Sequence, residues 1–226
     1  MTLTFLGHAA FLAEGGGKRV IFDPFITGNP KAPFPVDRVP RLDAILLSHG
    51  HSDHLGDAIP LAKRDQAIIV SAYELVNFCV SQGAPGHKMQ VGGTHRFPFG
   101  IVKLVPAIHG GAIEGSTSRE PNTTPCGIVL TLDGVRVYHA GDTALTMDMQ
   151  LLHGAVDVML VPIGDNYTMG VEDAVRAVGF VEPRVVIPMH YNTWDAIAAD
   201  PQQFRRLVGT RAEVVILEPG KPHTLS

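Results

Sequence analysis

Ser48-His49-Gly50-His51-Ser52-Asp53-His54 sets three imidazoles and a carboxylate within six residues, at the end of the nearly continuous apolar run 43–48. Four such side chains exceed what a helix cap requires. Nitrogen and oxygen donors at that density are costly to assemble unless a positive charge neutralises them, and a divalent metal ion is the simplest such charge. Gly50 and Ser52 keep the backbone loose enough to aim alternate side chains inward. An apolar run of this length is expected in a strand covered on both faces. Binding sites of layered α/β proteins collect at the C-terminal ends of such strands, which is where this cluster begins.

Outward from the cluster, strand and helix signals alternate. Before it, residues 3–6, 10–13 and 19–22 read as a β meander with a turn at Gly15-Gly16-Gly17. Five prolines between residues 24 and 40 exclude helix and suit an ordered surface loop that could rim a pocket. After the cluster, residues 55–64 and 73–81 are expected as helices around a strand at 67–70. Strands are expected at 101–105 and 127–132, separated by a Gly/Ser/Thr/Pro-rich loop at 110–125 of lid-like composition. Asp133-Gly134 signals a hairpin into strand 135–139. Further buried strands are expected at 157–161, 184–188 and 214–217, with helices at 171–179 and 201–208. Neither a linker nor an internal repeat is visible, so residues 1–226 are taken as one α/β domain.

With 45% hydrophobic and 18% charged residues, the 226-residue chain can bury a substantial core. A formal net charge of −4, dispersed in short blocks, argues against a broad nucleic-acid face. Cys79 and Cys126 are too few for a disulfide framework and too far apart for a paired-cysteine metal site; both are expected as buried small hydrophobes. The N-terminus carries no leader pattern, and no apolar run approaches the ~20 residues of a membrane helix, so a cytoplasmic location is expected.

Three more donors share one property with the opening cluster, because each stands just beyond an expected strand: His109, Asp142 and His190. If the strands of each sheet run roughly parallel, all these ends converge at one edge. The donor set is then His49, His51, Asp53, His54, His109, Asp142 and His190, five imidazoles and two carboxylates. Such a set suits two borderline divalent ions such as zinc, manganese or iron, and an aspartate bridges naturally because each oxygen can take one ion. The expected chemistry is hydrolysis, with a water acidified toward neutrality and a carbonyl or phosphoryl oxygen polarised.

The His-x-His-x-Asp-His pattern at 49–54, followed by His109, Asp142 and His190, resembles the metallo-β-lactamase superfamily. That resemblance implies a four-layered αββα sandwich with two metals at one edge of its sheets. Leu6-Gly7-His8-Ala9-Ala10-Phe11, Phe22-Asp23-Pro24-Phe25, Tyr138-His139-Ala140-Gly141-Asp142-Thr143 and the segment 162–170 resemble the small metal-dependent hydrolase family related to the ascorbate 6-phosphate lactonases. The superfamily pattern implies His49, His51 and His109 on the first metal, Asp53, His54 and His190 on the second, and Asp142 as the bridge. His51, where the oxygen-reducing di-iron branch carries a glutamate, implies the hydrolytic branch.

Other residues are candidates for support. His8 could contact substrate or steady the site, Asp23 could accept a hydrogen bond from a ligating imidazole and fix its tautomer, and His139 stands between such a role and packing. Asn166, Tyr167, Tyr191 and Asn192 offer donors for a substrate oxygen, while Trp194, close to His190, could wall the pocket but is read first as packing. His87, His95, His153 and His223 are read as exposed or locally bonded. Lys31, Arg38 and Arg119 in the two loops are too scattered to name a substrate.

The expectation is a dinuclear hydrolase whose metal-bridging hydroxide cleaves an ester, lactone or phosphodiester bond of a small molecule, with Asp53 accepting and returning a proton. Two alternatives remain at this stage: a nuclease or cyclic-nucleotide phosphodiesterase of the same superfamily, and a non-catalytic metal-stabilised binding module. No membrane partner is expected, a nucleic-acid partner is disfavoured, and homo-oligomerisation is open.

Overall fold

Adjacent residues of single strands enter different apolar cores in the computed structural model, which describes residues 1–113 and 122–225. In strand β4 (Ala44–Leu46), Ala44 and Leu46 join one core and Ile45 another. In β11 (Val158–Pro162), Leu160 joins the first of these and Met159 and Val161 a third. Successive side chains leave opposite faces of a strand, so each of these strands is covered on both sides. The shared core lies between two sheets, and the other two lie beneath helices, giving the αββα layering.

The first sheet contains β1 (Thr2–Phe5), β2 (Phe11–Gly15), β3 (Lys18–Phe22), β4, β5 (Ile68–Ala72) and β6 (Gly86–Met89). The second contains β7 (Thr94–Phe97), β8 (Gly100–Pro106), β9 (Cys126–Leu132), β10 (Val135–His139), β11 and β12 (Val185–Met189). Two short C-terminal strands complete them: β13 (Glu213–Val214) pairs with β12, and β14 (Pro222–Thr224) pairs with β1. The first sheet is ordered β14-β1-β2-β3-β4-β5-β6 and the second β7-β8-β9-β10-β11-β12-β13. Both show three antiparallel pairings followed by three parallel ones. The repeat absent from the residue sequence is therefore present in strand direction, which periodicity alone does not encode.

Helices α2 (Ala58–Asp65) and α3 (Tyr73–Ser81) cover the first sheet through Leu61, Ala62, Leu75 and Val76, and α4 (Val171–Val181) and α5 (Pro201–Val208) cover the second through Ala177, Val178 and Phe204. Among the described residues no helix is long and apolar enough to cross a membrane.

Several expectations change. The sheets are mixed, not parallel, yet β1, β3 and β4 still point one way, as do β8, β10, β11 and β12, so their C-terminal ends share an edge. The helix expected at 55–64 divides into a single turn, α1 (Ser52–Leu55), and α2, because Gly56 turns at φ 40° against the backbone of Pro24 and Phe25. The strand expected at 214–217 shrinks to the half-buried β13. The polar segments of β6, β7 and β14 carry no strand pattern and pair all the same as edge or near-edge strands. The hairpin turn holds both Asp133 and Gly134 at positive φ, 51° and 79°, matching the strand twist. Residues 114–121 of the expected lid, Arg119 among them, lie outside the described residues.

Candidate metal centre

Each donor foreseen in the sequence follows the C-terminal end of one of the co-directional strands. His49–His54 follow β4, His109 follows β8, Asp142 follows β10 and His190 follows β12, while His8 and Asp23 follow β1 and β3. Two glycines permit the close approach of these loops. Gly141, at φ 64°, would place a Cβ 2.7 Å from Ser48 Cβ, and a Cβ at Gly164 would fall 2.2 Å from the His190 carbonyl oxygen. Backbone strain gathers here too, with His8, Asp23 and His190 at φ 59°, 40° and 54°.

The side chains fall into two adjoining groups. In the first, His51 Nδ1 lies 3.0 Å from His49 Nε2 and 3.3 Å from His109 Nε2. One hydrogen cannot serve both contacts, whereas an ion holding nitrogens at about 2.0–2.1 Å in a tetrahedron separates them by roughly 3.3 Å. In the second, the ligand atoms of His8, Asp53, His54 and His190 lie within 4.8 Å of one another. Asp142 stands between the groups, with Oδ1 3.2 Å from His54 Nε2 and Oδ2 3.0 Å from His190 Nε2 and 3.6 Å from His109 Nε2. Despite these separations, His54 Nε2, His190 Nε2 and Asp142 Oδ1 are buried without a hydrogen bond. Buried polar atoms are nearly always paired; atoms that face a common point instead of one another have the geometry of ligands.

Hydrogen bonds behind the donors fix their orientation. Asp23, fully buried, accepts from Ser48 N–H at 2.7 Å, from the Ser48 hydroxyl at 2.6 Å and from His54 Nδ1 at 2.7 Å. His49 Nδ1 donates to Ser48 Oγ at 2.9 Å. Both rings therefore carry their hydrogen on Nδ1 and turn the Nε2 lone pair toward the site. His139 donates from Nε2 to the Ala9 carbonyl at 2.8 Å, accepts the Gly141 N–H on Nδ1 at 3.2 Å and stacks on Phe22. It ties the two sheets together below Asp142 and does not face the donor groups.

The electrostatics ask for a cation. Burial opposes ionisation of Asp142, Asp53 and Asp23, yet the neighbouring imidazoles outweigh it and hold all three below the usual carboxylate range. Burial would also depress His54, but Asp142 and Asp23 raise it well above an ordinary imidazole. Burial lowers His49 and His109, and takes His8 down to about 4. Ionised carboxylates beside the neutral imidazoles of His49 and His109, with a His54 whose extra proton a cation would displace, make a fitting donor set for divalent ions, and His49, His51, Asp53, His54, His109, Asp142 and His190 could hold them.

Residues 18–191 match the β-lactamase superfamily domain, a stretch containing all seven of those donors. The chain belongs to the metal-dependent hydrolases of the metallo-β-lactamase superfamily. A metal-dependent hydrolase of Pelotomaculum thermopropionicum is 48% identical over 226 residues, covering 98% of both chains. One of Archaeoglobus fulgidus is 47% identical over 230 residues, covering 99% of this chain and 98% of its own. The solved structure of a metallo hydrolase from the hyperthermophilic archaeon Ignicoccus hospitalis superposes with a TM-score of 0.91 at 34% identity, covering 100% of this chain and 98% of the other.

In this metallo-β-lactamase sandwich the candidate donors floor a cavity of 310 Å³ lined by His51, Asp53, His109, Asp142, Tyr167, His190 and Trp194. Trp194, read from sequence as packing, instead walls the site, edge-on to His8 at 5.0 Å and close to Phe25 at 6.1 Å. Of the expected substrate donors only Tyr167 reaches the cavity. Asn192 spends its amide on Ala199, accepting the backbone N–H at 2.9 Å and donating to the carbonyl at 3.0 Å, and Tyr191 lines a separate crevice. Asn166 is exposed beside Asp165 and does not line the cavity. Sequence reading missed Ser48, Thr193 and Asp57. Ser48, flanking His49, is the one whose position gave a signal; Thr193 meets His8 Nδ1 at 2.8 Å, and Asp57 accepts the N–H groups of Ile26 and Thr27 at 3.1 and 2.8 Å, anchoring the loop at 24–40.

Proposed function

We propose that this metal-dependent hydrolase holds two divalent ions, zinc in first place, and cleaves an ester, lactone or phosphodiester bond of a small molecule. His49, His51 and His109 would hold one ion, Asp53, His54 and His190 the other, with Asp142 between them. The observation that carries this reading is the set of buried, unbonded ligand atoms on His54, His190 and Asp142, the last two of these residues lining a 310 Å³ cavity. Ions bound there would supply Lewis acidity, making water a nucleophile near neutral pH and polarising the scissile oxygen.

The chain supplies the rest. Asp53, ionised and one-quarter exposed where it lines the cavity, would take a proton from the attacking water and return it to the leaving group. Tyr167 can donate to a substrate oxygen at the mouth, while Trp194, backed by Phe25, offers an aromatic wall for an apolar part of the substrate. The cavity is of small-molecule size, and the net charge of −4 disfavours a polynucleotide.

Metal quantification by mass spectrometry on purified protein, with the same sample run against lactone, thioester and phosphodiester panels, tests the reading. Two ions per chain with turnover of an ester, lactone or phosphodiester is expected. Fewer than two ions would overturn the dinuclear centre. A fully loaded protein that a ligand stabilises thermally, with no product over hours, would identify a binding module instead.

A further inference from the structure

His8 precedes the stretch 18–191 matched by the superfamily domain, yet it touches the centre. Its imidazole is 1% exposed, and both ring nitrogens have partners: Nε2 meets Asp53 Oδ2 at 3.1 Å and Nδ1 meets Thr193 Oγ1 at 2.8 Å. An ionised carboxylate only accepts, so the hydrogen sits on Nε2 and the Thr193 hydroxyl donates to Nδ1. The His8 carbonyl also accepts the His190 N–H at 2.7 Å, joining the turns that carry these two histidines.

Strand equivalence gives a second, independent observation. Aligning the two sheets by their pairing pattern sets β1 against β8, and His8 and His109 each stand three residues beyond the end of their strand. The fold thus brings an imidazole to the centre from each half. His109 meets nitrogens of the first donor group, while His8 meets the carboxylate of Asp53.

Asp53 needs such a partner. It sits on the single turn α1 at the cavity floor, and its other oxygen is 4.0 Å from His54 Nε2, too far for a hydrogen bond. Without a restraint on Oδ2, the carboxylate could swing between the ion position and the cavity, and ordering it would cost rotamer entropy on each binding event.

We propose that His8, backed by Thr193, is a positioning residue that clamps Asp53 at the second-ion position. The clamp rests on the dinuclear reading above. Loss of a hydrogen-bonded support behind a ligand typically weakens metal binding by about 10–100-fold. His8→Ala should weaken the second ion by that order and leave the His49/His51/His109 ion in place. His8→Gln, whose amide N–H reaches as far as Nε2, should recover most of the loss, and Thr193→Val should lose several-fold.

The test titrates full-length, metal-stripped protein with zinc against a chelating indicator, resolving two affinities, alongside thermal unfolding of the metal-free proteins. If His8→Ala does not fold, His8→Gln and Thr193→Val carry the test: a second-ion affinity lowered in Thr193→Val and near wild type in His8→Gln supports the clamp. Wild type with two ions, and a His8→Ala second-ion affinity within twofold of it, overturns the clamp alone. A His8→Gln as weak as His8→Ala overturns it in favour of a direct ligand. A lower unfolding temperature with unchanged affinity overturns it in favour of a fold-only role. A wild type that takes up a single ion overturns the dinuclear reading and the clamp with it.

Discussion

Replacing Asp23 by asparagine changes one heavy atom in a fully buried position and should disable an ion that Asp23 never touches. Its Oδ1 accepts the Ser48 N–H, and its Oδ2 accepts both the Ser48 hydroxyl and His54 Nδ1–H. An amide nitrogen at the Oδ2 position faces two donors with hydrogens of its own. The conflict is relieved when His54 moves its hydrogen to Nε2 and accepts on Nδ1, which withdraws the lone pair a ligand needs. Two charge-assisted hydrogen bonds at about 1.5–3 kcal/mol each bound the loss at roughly 3–6 kcal/mol. The new amide donors recover part of this, leaving about 1.5–3 kcal/mol against ion binding, consistent with the 10–100-fold typical of such supports. Zinc titration should show Asp23→Asn with a weakened second site and an intact first one. Equal affinities at both sites in Asp23→Asn and wild type would refute the idea that Asp23 sets the His54 tautomer.

Asp142→Ala should abolish stable uptake of the second ion and nearly all hydrolysis, measured by metal content and turnover together; full activity in the metal-depleted variant would contradict the proposed chemistry. Trp194→Ala should raise KM several-fold while leaving metal content unchanged, because the indole walls the cavity and holds no donor position. Burial pushes the thiols of Cys79 and Cys126 up to about 12, so both stay protonated well above neutrality. A thiol reagent at pH 8 should therefore modify neither cysteine in the native protein and both after denaturation; reaction in the native state would show that these interiors open.

The central strands were legible because continuous apolar runs bounded by Gly, Pro and Asp have few other interpretations. Ala44–Leu46, Val158–Pro162 and Val185–Met189 are buried throughout, so their sequences carry the strand signal undiluted. Edge strands are polar on the sides that face water, and Gly86–Met89 and Thr94–Phe97 therefore carry no pattern. The seven candidate donors, and Asp23 and His8 behind them, were legible as residue types placed after strands, but the hydroxyls that complete those supports were not. Nothing in the sequence distinguishes the hydroxyl of Thr193 from that of any loop threonine until His8, 185 residues away, closes on it. The parts of Trp194 and Asn192 stayed open in the sequence for the same reason: a turn that bonds Asn192 to Ala199 leaves the neighbouring indole to face the cavity.

The equivalence of the two sheets also shows what separates a structural carboxylate from one open to a cation. Asp23 and Asp142 follow β3 and β10, strands that align when the pairing patterns are matched, and both side chains are almost wholly buried. Asp23 lies against the Ser48 backbone and hydroxyl, so hydrogen-bond donors saturate it within one half of the fold. Asp142 meets His109 and His190 of its own half and His54 across the seam, and its Oδ1 finds no hydrogen bond there. A buried oxygen in that condition is costly in a closed fold and becomes favourable only when a cation occupies the seam. The difference between the two aspartates therefore lies in which side chains each loop meets, and Ser48 is the residue that saturates Asp23 while Asp142 keeps an oxygen open to a cation.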